Sequence, residues 1–211
     1  EDPAPVAPAA DRPFILTLTS GSTGTPKPIT LGTAVKLRRA LAHLELYNVT
    51  PEDRVLAATP LHHSLAERLM LMPLIIGATA VLLPRFTPRL WLGTVMRLKV
   101  SFTIAVSSQL TQILPQLHDP APLKSLRLVV SSSALLELPV REALLQKMPC
   151  ALHEMYGTSE TSTVTDIDCR TDGTRGSVGR ALPDVEIRIL DEHLKPLPSG
   201  ETGQIAVRGP L

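Results

Sequence analysis

The chain is poor in aromatic side chains, cysteine and net charge, and each shortage removes a class of function. Phe, Tyr and Trp make up 3% of the 211 residues, too few for the stacking platforms that hold single-stranded nucleic acid. Lysine and arginine are scattered and the formal net charge is +1, which leaves no electrostatic footprint for nucleic acid or a charged membrane surface. The two cysteines, Cys150 and Cys169, cannot build a disulfide scaffold and lack the spacing of a metal site. They point to a reducing, cytoplasmic location. The longest apolar stretch, Leu69 to Leu83, is broken by Pro73 and Gly77 and runs into Pro84 and Arg85, so no membrane span is expected. No charged-then-apolar leader opens the sequence, and no secretory signal is expected.

What is present reads as a globular α/β protein, 44% apolar by composition. Residues 1–11 are Pro/Ala-rich without an apolar period and read as a linker. From Arg12 to Pro183 short β-prone runs alternate with helical stretches. Strands are expected at Phe14–Thr19, Arg54–Thr59, Ala78–Leu83, Val100–Val106 and Leu126–Ser131. Helices are expected near Val35–Tyr47, Leu65–Ile76, Leu90–Leu98, Leu110–Leu117 and Val140–Met148. That alternation predicts a largely parallel sheet, and strands without period-two patterning predict helices on both of its faces. Beyond residue 183 the texture changes. VEIRIL and QIAVRG flank the turn-rich PLPSGETG, which predicts a closing β-rich hairpin over 184–211.

The most informative stretch runs Thr19-Ser20-Gly21-Ser22-Thr23-Gly24-Thr25-Pro26-Lys27. Glycines let backbone N–H groups approach an anion, hydroxyls donate hydrogen bonds and lysine adds a movable charge, a set that matches a polyphosphate. By composition alone it is equally a solvated turn. The nucleoside-triphosphatase loop is excluded, because that pattern needs lysine directly after the second glycine and Ser or Thr after the lysine. Here Thr25 and Pro26 intervene and Pro28 follows.

The stretch instead resembles T-S-G-[ST]-T-G-x-P-K-G, the signature of the adenylate-forming superfamily of acyl- and aryl-CoA ligases, luciferases and amino-acid-adenylating domains. Its one departure is Pro28 in place of glycine, which removes a backbone donor. Two further segments follow in the family's order. Tyr156-Gly157-Thr158-Ser159-Glu160 resembles Y-G-x-[TS]-E. The run from Gly176-Ser177-Val178-Gly179 to Pro210 resembles G-S-V-G followed by G-E-x-G-E-I-x-V-x-G-P, and most of it reads as scaffold. A weaker likeness, Ser131 to Leu136 against G-G-A-P-L, rests on Ala134 and its place at a strand end.

The resemblance implies ATP, magnesium and a thiol acceptor, either coenzyme A or a carrier protein's phosphopantetheine. It implies that Thr19 to Gly24 and Lys27 cradle phosphates, that Ser133 and Ala134 border adenine, and that Tyr156 and Gly157 pack on the nucleotide. Ser159 would then meet the α-phosphate and Glu160 would hold magnesium. Lys27, Glu160 and His63 are the expected catalytic residues, His63 through the likeness of Pro60-Leu61-His62-His63 to a segment beside the acid pocket. Where amino-acid-adenylating relatives place an aspartate there, this chain has histidine, so the expected substrate is a fatty or aryl acid. His63 and Glu67 are also spaced i, i+4, compatible with a metal pair. Downstream elements of the family, a ribose-binding aspartate and a domain carrying a lysine, are not found before Leu211. The expectation is an inactive piece of a carboxylic-acid-activating ligase. The alternatives are a non-catalytic nucleotide- or acyl-binding module and an amino-acid-adenylating domain of a peptide synthetase.

Overall fold

A computed structural model of the chain describes residues 12–19, 27–171 and 176–210. Strand β1 (Pro13–Thr19) pairs antiparallel with β2 (Lys27–Gly32), and the two form a separate hairpin. This corrects the expectation that Phe14–Thr19 opens the parallel series and leads straight into a helix. Ile29 to Leu31 is a short β-prone run behind a proline, too little to register as a strand without its partner. The Ser20–Pro26 loop, with the candidates Ser20, Gly21, Ser22, Thr23 and Gly24, lies outside the described residues. Its flanks, Thr19 and Lys27, are paired in register.

Helix α1 (Thr33–Leu46) leads to β3 (Arg54–Ala57), α2 (Ser64–Ile75), β4 (Thr79–Leu82), α3 (Pro88–Leu98) and β5 (Phe102–Val106). Helix α4 (Ser107–Ile113), β6 (Leu128–Ser132), α5 (Leu138–Lys147) and β7 (Ala151–Thr158) follow. The sheet runs β4-β3-β5-β6-β7, all parallel, and is extended antiparallel by β8 (Ser162–Asp168) and β9 (Arg180–Ala181). The expected hairpin is present as β10 (Glu186–Leu190) and β11 (Gln204–Arg208), in a sheet of its own.

Successive side chains of the central strands enter different cores. Val55, Phe102, Ile104, Leu128 and Val130 pack under α1 and α2 with Leu44, Leu69 and Met72. Leu56, Ala105 and Val129 pack on the other face with Trp91, Val95, Leu110 and Leu144 from α3, α4 and α5. Both faces are apolar, which is why the strands show no period-two pattern. The path explains the division of helices. From β3 the chain steps to β4 on one side, then crosses back to β5 and continues to β6 and β7 on the other. Right-handed crossovers then require α2 on one face and α3, α4 and α5 on the opposite one.

Local signals set the helix limits. Thr87 caps α3, its side chain accepting from the Leu90 N–H at 3.2 Å, and Pro88 opens the helix. Gly77, with φ +75°, supplies the left-handed turn after α2.

Candidate functional site

The order reversal between β3 and β5 makes a switch point, where the loops leaving the two carboxyl ends diverge and open α/β sheets bind ligands. Gln109 of α4 bridges this divide, accepting from the Val106 N–H at 3.1 Å and donating to the Ala58 carbonyl at 3.0 Å. Three of the segments singled out by sequence lie at this edge. His63 follows β3, Ser133 and Ala134 follow β6, and Ser159 and Glu160 form the turn between β7 and β8.

Tyr156 and Gly157 lie within β7, where a bulge shifts the register against β8. A Cβ on Gly157 would fall 1.9 Å from the Ser162 carbonyl oxygen, so only glycine lets the strands close there. Gly179, at φ +97°, meets the same requirement on the far side of β8, where a Cβ would fall 2.1 Å from the Asp166 carbonyl oxygen. Thr158 and Thr161 exchange backbone-to-hydroxyl bonds at 3.2 Å across the turn.

That turn is docked on both helices of the adjoining layer. Arg39 of α1 donates to the Ser159 carbonyl at 2.8 Å and to the Glu160 carbonyl at 2.5 Å. Ser64, the first residue of α2, lies with its Oγ 3.3 Å from Ser159 Oγ. The fold therefore brings the neighbour of His63 against Ser159. His63 itself is exposed, and its ring lies 4.3 Å from that of His62. The Glu67 carboxylate is paired with Lys36 Nζ at 2.5 Å, an ion pair that competes with any metal shared with His63.

Arg39 and Ser64 escaped the sequence reading. The trace of Arg39 there is a polar stripe, Lys36, Arg39 and His43, on the helix face that packs inward. The stripe is internally matched. His43 Nδ1 lies 2.7 Å from the Arg39 carbonyl, an acceptor only, so this nitrogen carries the proton. Nε2 is then the acceptor, with Arg68 donating at 2.8 Å and Thr163 Oγ1 2.7 Å away. Burial and the charge of Arg68 push the His43 pKa well below the ordinary histidine value, keeping the ring neutral.

Glu160 is exposed, and its carboxylate is open to solvent. Among the described residues no group of three or more His, Cys, Asp or Glu could hold a metal. Magnesium held by one carboxylate and substrate phosphates needs no such group. Two buried hydroxyls at this edge, Thr59 Oγ1 and Ser131 Oγ, have no hydrogen-bond partner among the described residues. Thr59 follows β3 and Ser131 is the penultimate residue of β6, and donors left open at the carboxyl edge of the sheet fit a ligand rich in acceptor oxygens. Ser133 adopts φ +72°, the left-handed region that favours glycine, at one of the places where the resembling pattern has glycine.

The sequence matches the family model for AMP-binding enzyme across residues 1–211. The chain belongs to this family. It is 31% identical over 203 residues to the indoleacetate–CoA ligase of Aromatoleum aromaticum, covering 94% of this chain and 39% of that enzyme. Among solved structures, ATP-bound MatB from Rhodopseudomonas palustris superposes with a TM-score of 0.86 at 30% identity, over 98% of this chain and 41% of that one. MenE of Bacillus subtilis, an O-succinylbenzoate coenzyme A synthetase in complex with ATP and magnesium ion, gives 0.86 at 26% identity over 96% and 42%. The chain thus spans about two-fifths of the length of these family members. Among the described residues no helix is long and apolar enough to cross a membrane.

Proposed function

We propose that this chain is the nucleotide-activating core of an acid–thiol ligase, which joins a carboxylic acid to ATP as an acyl-adenylate, releases pyrophosphate and passes the acyl group to a thiol. The observation that carries the reading is the docking of the Ser159–Glu160 turn onto Arg39 and Ser64 at the carboxyl edge of the sheet. It brings a sequence motif of the family to the place where such sheets bind ligands.

In this reading Thr19, Ser20, Gly21, Ser22, Thr23, Gly24 and Lys27 hold the phosphates. Ser133, Ala134, Tyr156 and Gly157 line the base, Ser159 donates to the α-phosphate, and Glu160 holds magnesium, which would neutralise phosphate charge. The acid's carboxylate attacks the α-phosphorus and pyrophosphate leaves. The protein's part is chiefly to position the reactants and stabilise developing charge. Coenzyme A is the acceptor favoured by the relatives' names; a carrier protein would present the same thiol chemistry. A fatty or aryl acid is the substrate class, supported by the histidine at position 63 and by the indoleacetate ligase. A cytoplasmic home agrees with two free, buried cysteines.

The test is acid-dependent exchange of labelled pyrophosphate into ATP by the full-length enzyme. Gly24→Val should cut the rate by about tenfold or more, because a branched side chain blocks the backbone's approach to phosphate. Exchange unaltered in a folded Gly24→Val variant would remove the loop from the mechanism.

A further inference from the structure

Arg39 is a buried cation to which the motifs read from the sequence assign no part. It is 4% exposed, and its side chain crosses from α1 to the turn between β7 and β8. One terminal nitrogen donates to the Ser159 carbonyl at 2.8 Å and the other to the Glu160 carbonyl at 2.5 Å. Among the described residues neither carbonyl has a second partner. A planar guanidinium fixed on two consecutive carbonyls sets the direction of both peptide planes, which a point donor cannot do. It thereby sets where the Ser159 hydroxyl and the Glu160 carboxylate leave the backbone.

The turn's other ties are longer. Thr158 and Thr161 bond each other at 3.2 Å across its exposed base, and Ser64 Oγ lies 3.3 Å from Ser159 Oγ. Arg39 itself sits on a braced helix. Its carbonyl accepts from His43 Nδ1 at 2.7 Å, and Lys36 on the same face pairs with Glu67 of α2 at 2.5 Å. Beyond the turn, Thr163 Oγ1 of β8 lies 2.7 Å from His43 Nε2. The helical layer therefore holds the β7–β8 connection at two places, Arg39 on the turn and His43 on the strand that leaves it. Burial lowers the Arg39 pKa, and the nearby charges of Glu67 and Glu160 oppose that shift.

We propose that Arg39 is a positioning residue for magnesium, orienting the Glu160 carboxylate so that metal affinity depends on a side chain that never touches the metal. Groups that orient a metal ligand typically contribute about 10–100-fold in affinity. The proposal rests on the ligase reading in taking Glu160 as the metal's carboxylate.

Calorimetric titration of the full-length enzyme with ATP, with and without magnesium, tests it. The ratio of the two dissociation constants is the gain from the metal. Arg39→Lys keeps the charge but cannot hold both carbonyls, and it should reduce the gain by about tenfold or more. Binding of ATP without magnesium should stay as it was. Arg39→Gln supplies a second, uncharged variant. Removing a cation beside the carboxylate would by electrostatics alone strengthen metal binding, so a reduced gain here too marks orientation as the cause. Glu160→Gln should abolish the gain, and adding Arg39→Lys to it should cost nothing further, because both act through one carboxylate. A role confined to stability would lower the melting temperature and leave the gain alone. A gain untouched by Arg39→Lys, a gain raised by Arg39→Gln, or a double variant additive over its singles would each overturn the proposal. If Glu160→Gln leaves the gain intact, the metal role of Glu160 in the ligase reading fails and the proposal fails with it. If Glu160→Gln abolishes the gain and neither Arg39 variant reduces it, the proposal alone falls and the reading stands.

Discussion

Ser133 and Gly157 illustrate how single residues shape this edge of the sheet. At φ +72° Ser133 holds a conformation that costs an L-residue about 1–2 kcal/mol. Ser133→Gly is therefore expected to raise stability by about 1 kcal/mol in a thermal or denaturant melt. An unchanged or lowered midpoint would show that the serine side chain offsets the strain. Gly157 has the opposite dependence, because a methyl group there would overlap the Ser162 carbonyl. Gly157→Ala should destabilise by about 2–3 kcal/mol by forcing β7 and β8 apart. Protection of the β8 amides against hydrogen exchange should fall, and full protection would contradict the bulge geometry. The identity of Gly157 could be read from the motif, but its reason could not. The partner that demands a missing Cβ lies on another strand.

Between elements, two polar clusters tie the helical layer to the sheet. Asp53, just before β3, accepts from Arg127 at 2.7 and 2.9 Å, from Ser101 at 2.6 Å and from the Thr50 N–H at 2.9 Å. Arg127 in turn donates to the Tyr47 and Asn48 carbonyls at the end of α1. Burial raises the Asp53 pKa, but these donors outweigh it and the net shift is downward. The cluster's contribution is then present above the ordinary carboxylate pKa and lost as pH falls through the lowered one. Asp53→Ala should cost about 3 kcal/mol at neutral pH and flatten the acid limb of a stability–pH curve.

The second cluster has the reverse sign. His153 Nδ1 lies 2.7 Å from Asp166, which also accepts from Tyr47 at 3.0 Å. Burial lowers the His153 pKa, but the hydrogen bond and charge of Asp166, with Asp168 beyond, raise it overall. Its stabilisation is complete below the ordinary histidine pKa of about 6.5 and fades as pH rises through the folded value. Thermal melts from pH 6 to 9 should show a decline that His153→Gln removes. An identical decline in the variant would assign it to another group.

Across the whole molecule, one sheet serves two cores, so neither helical layer can be lost alone. Leu69 and Trp91 are fully buried on opposite faces. Leu69→Ala should cost about 2–5 kcal/mol and Trp91→Ala about 3–5 kcal/mol. Each should shift one common transition rather than split it. Two transitions in either variant would mean that the layers unfold separately.

The sequence by itself determined the α/β class, the order of the parallel strands' units, the closing hairpin and the family's motifs. All are local signals, since periodicity, turn residues and motif spacing are properties of a short window. It did not determine that the first strand pairs with its neighbour outside the main sheet, because pairing depends on a partner rather than on a strand's own composition. Nor did it single out β7 and β8, whose polar residues at His153, Glu154 and Asp166 find partners across strands, from the ends of α1 and α5 and from the loop after β6. The role of Arg39 belongs to the tertiary structure entirely. It lies 120 residues from Ser159 in the chain, and a side chain's partner at that separation is decided by how the layers pack.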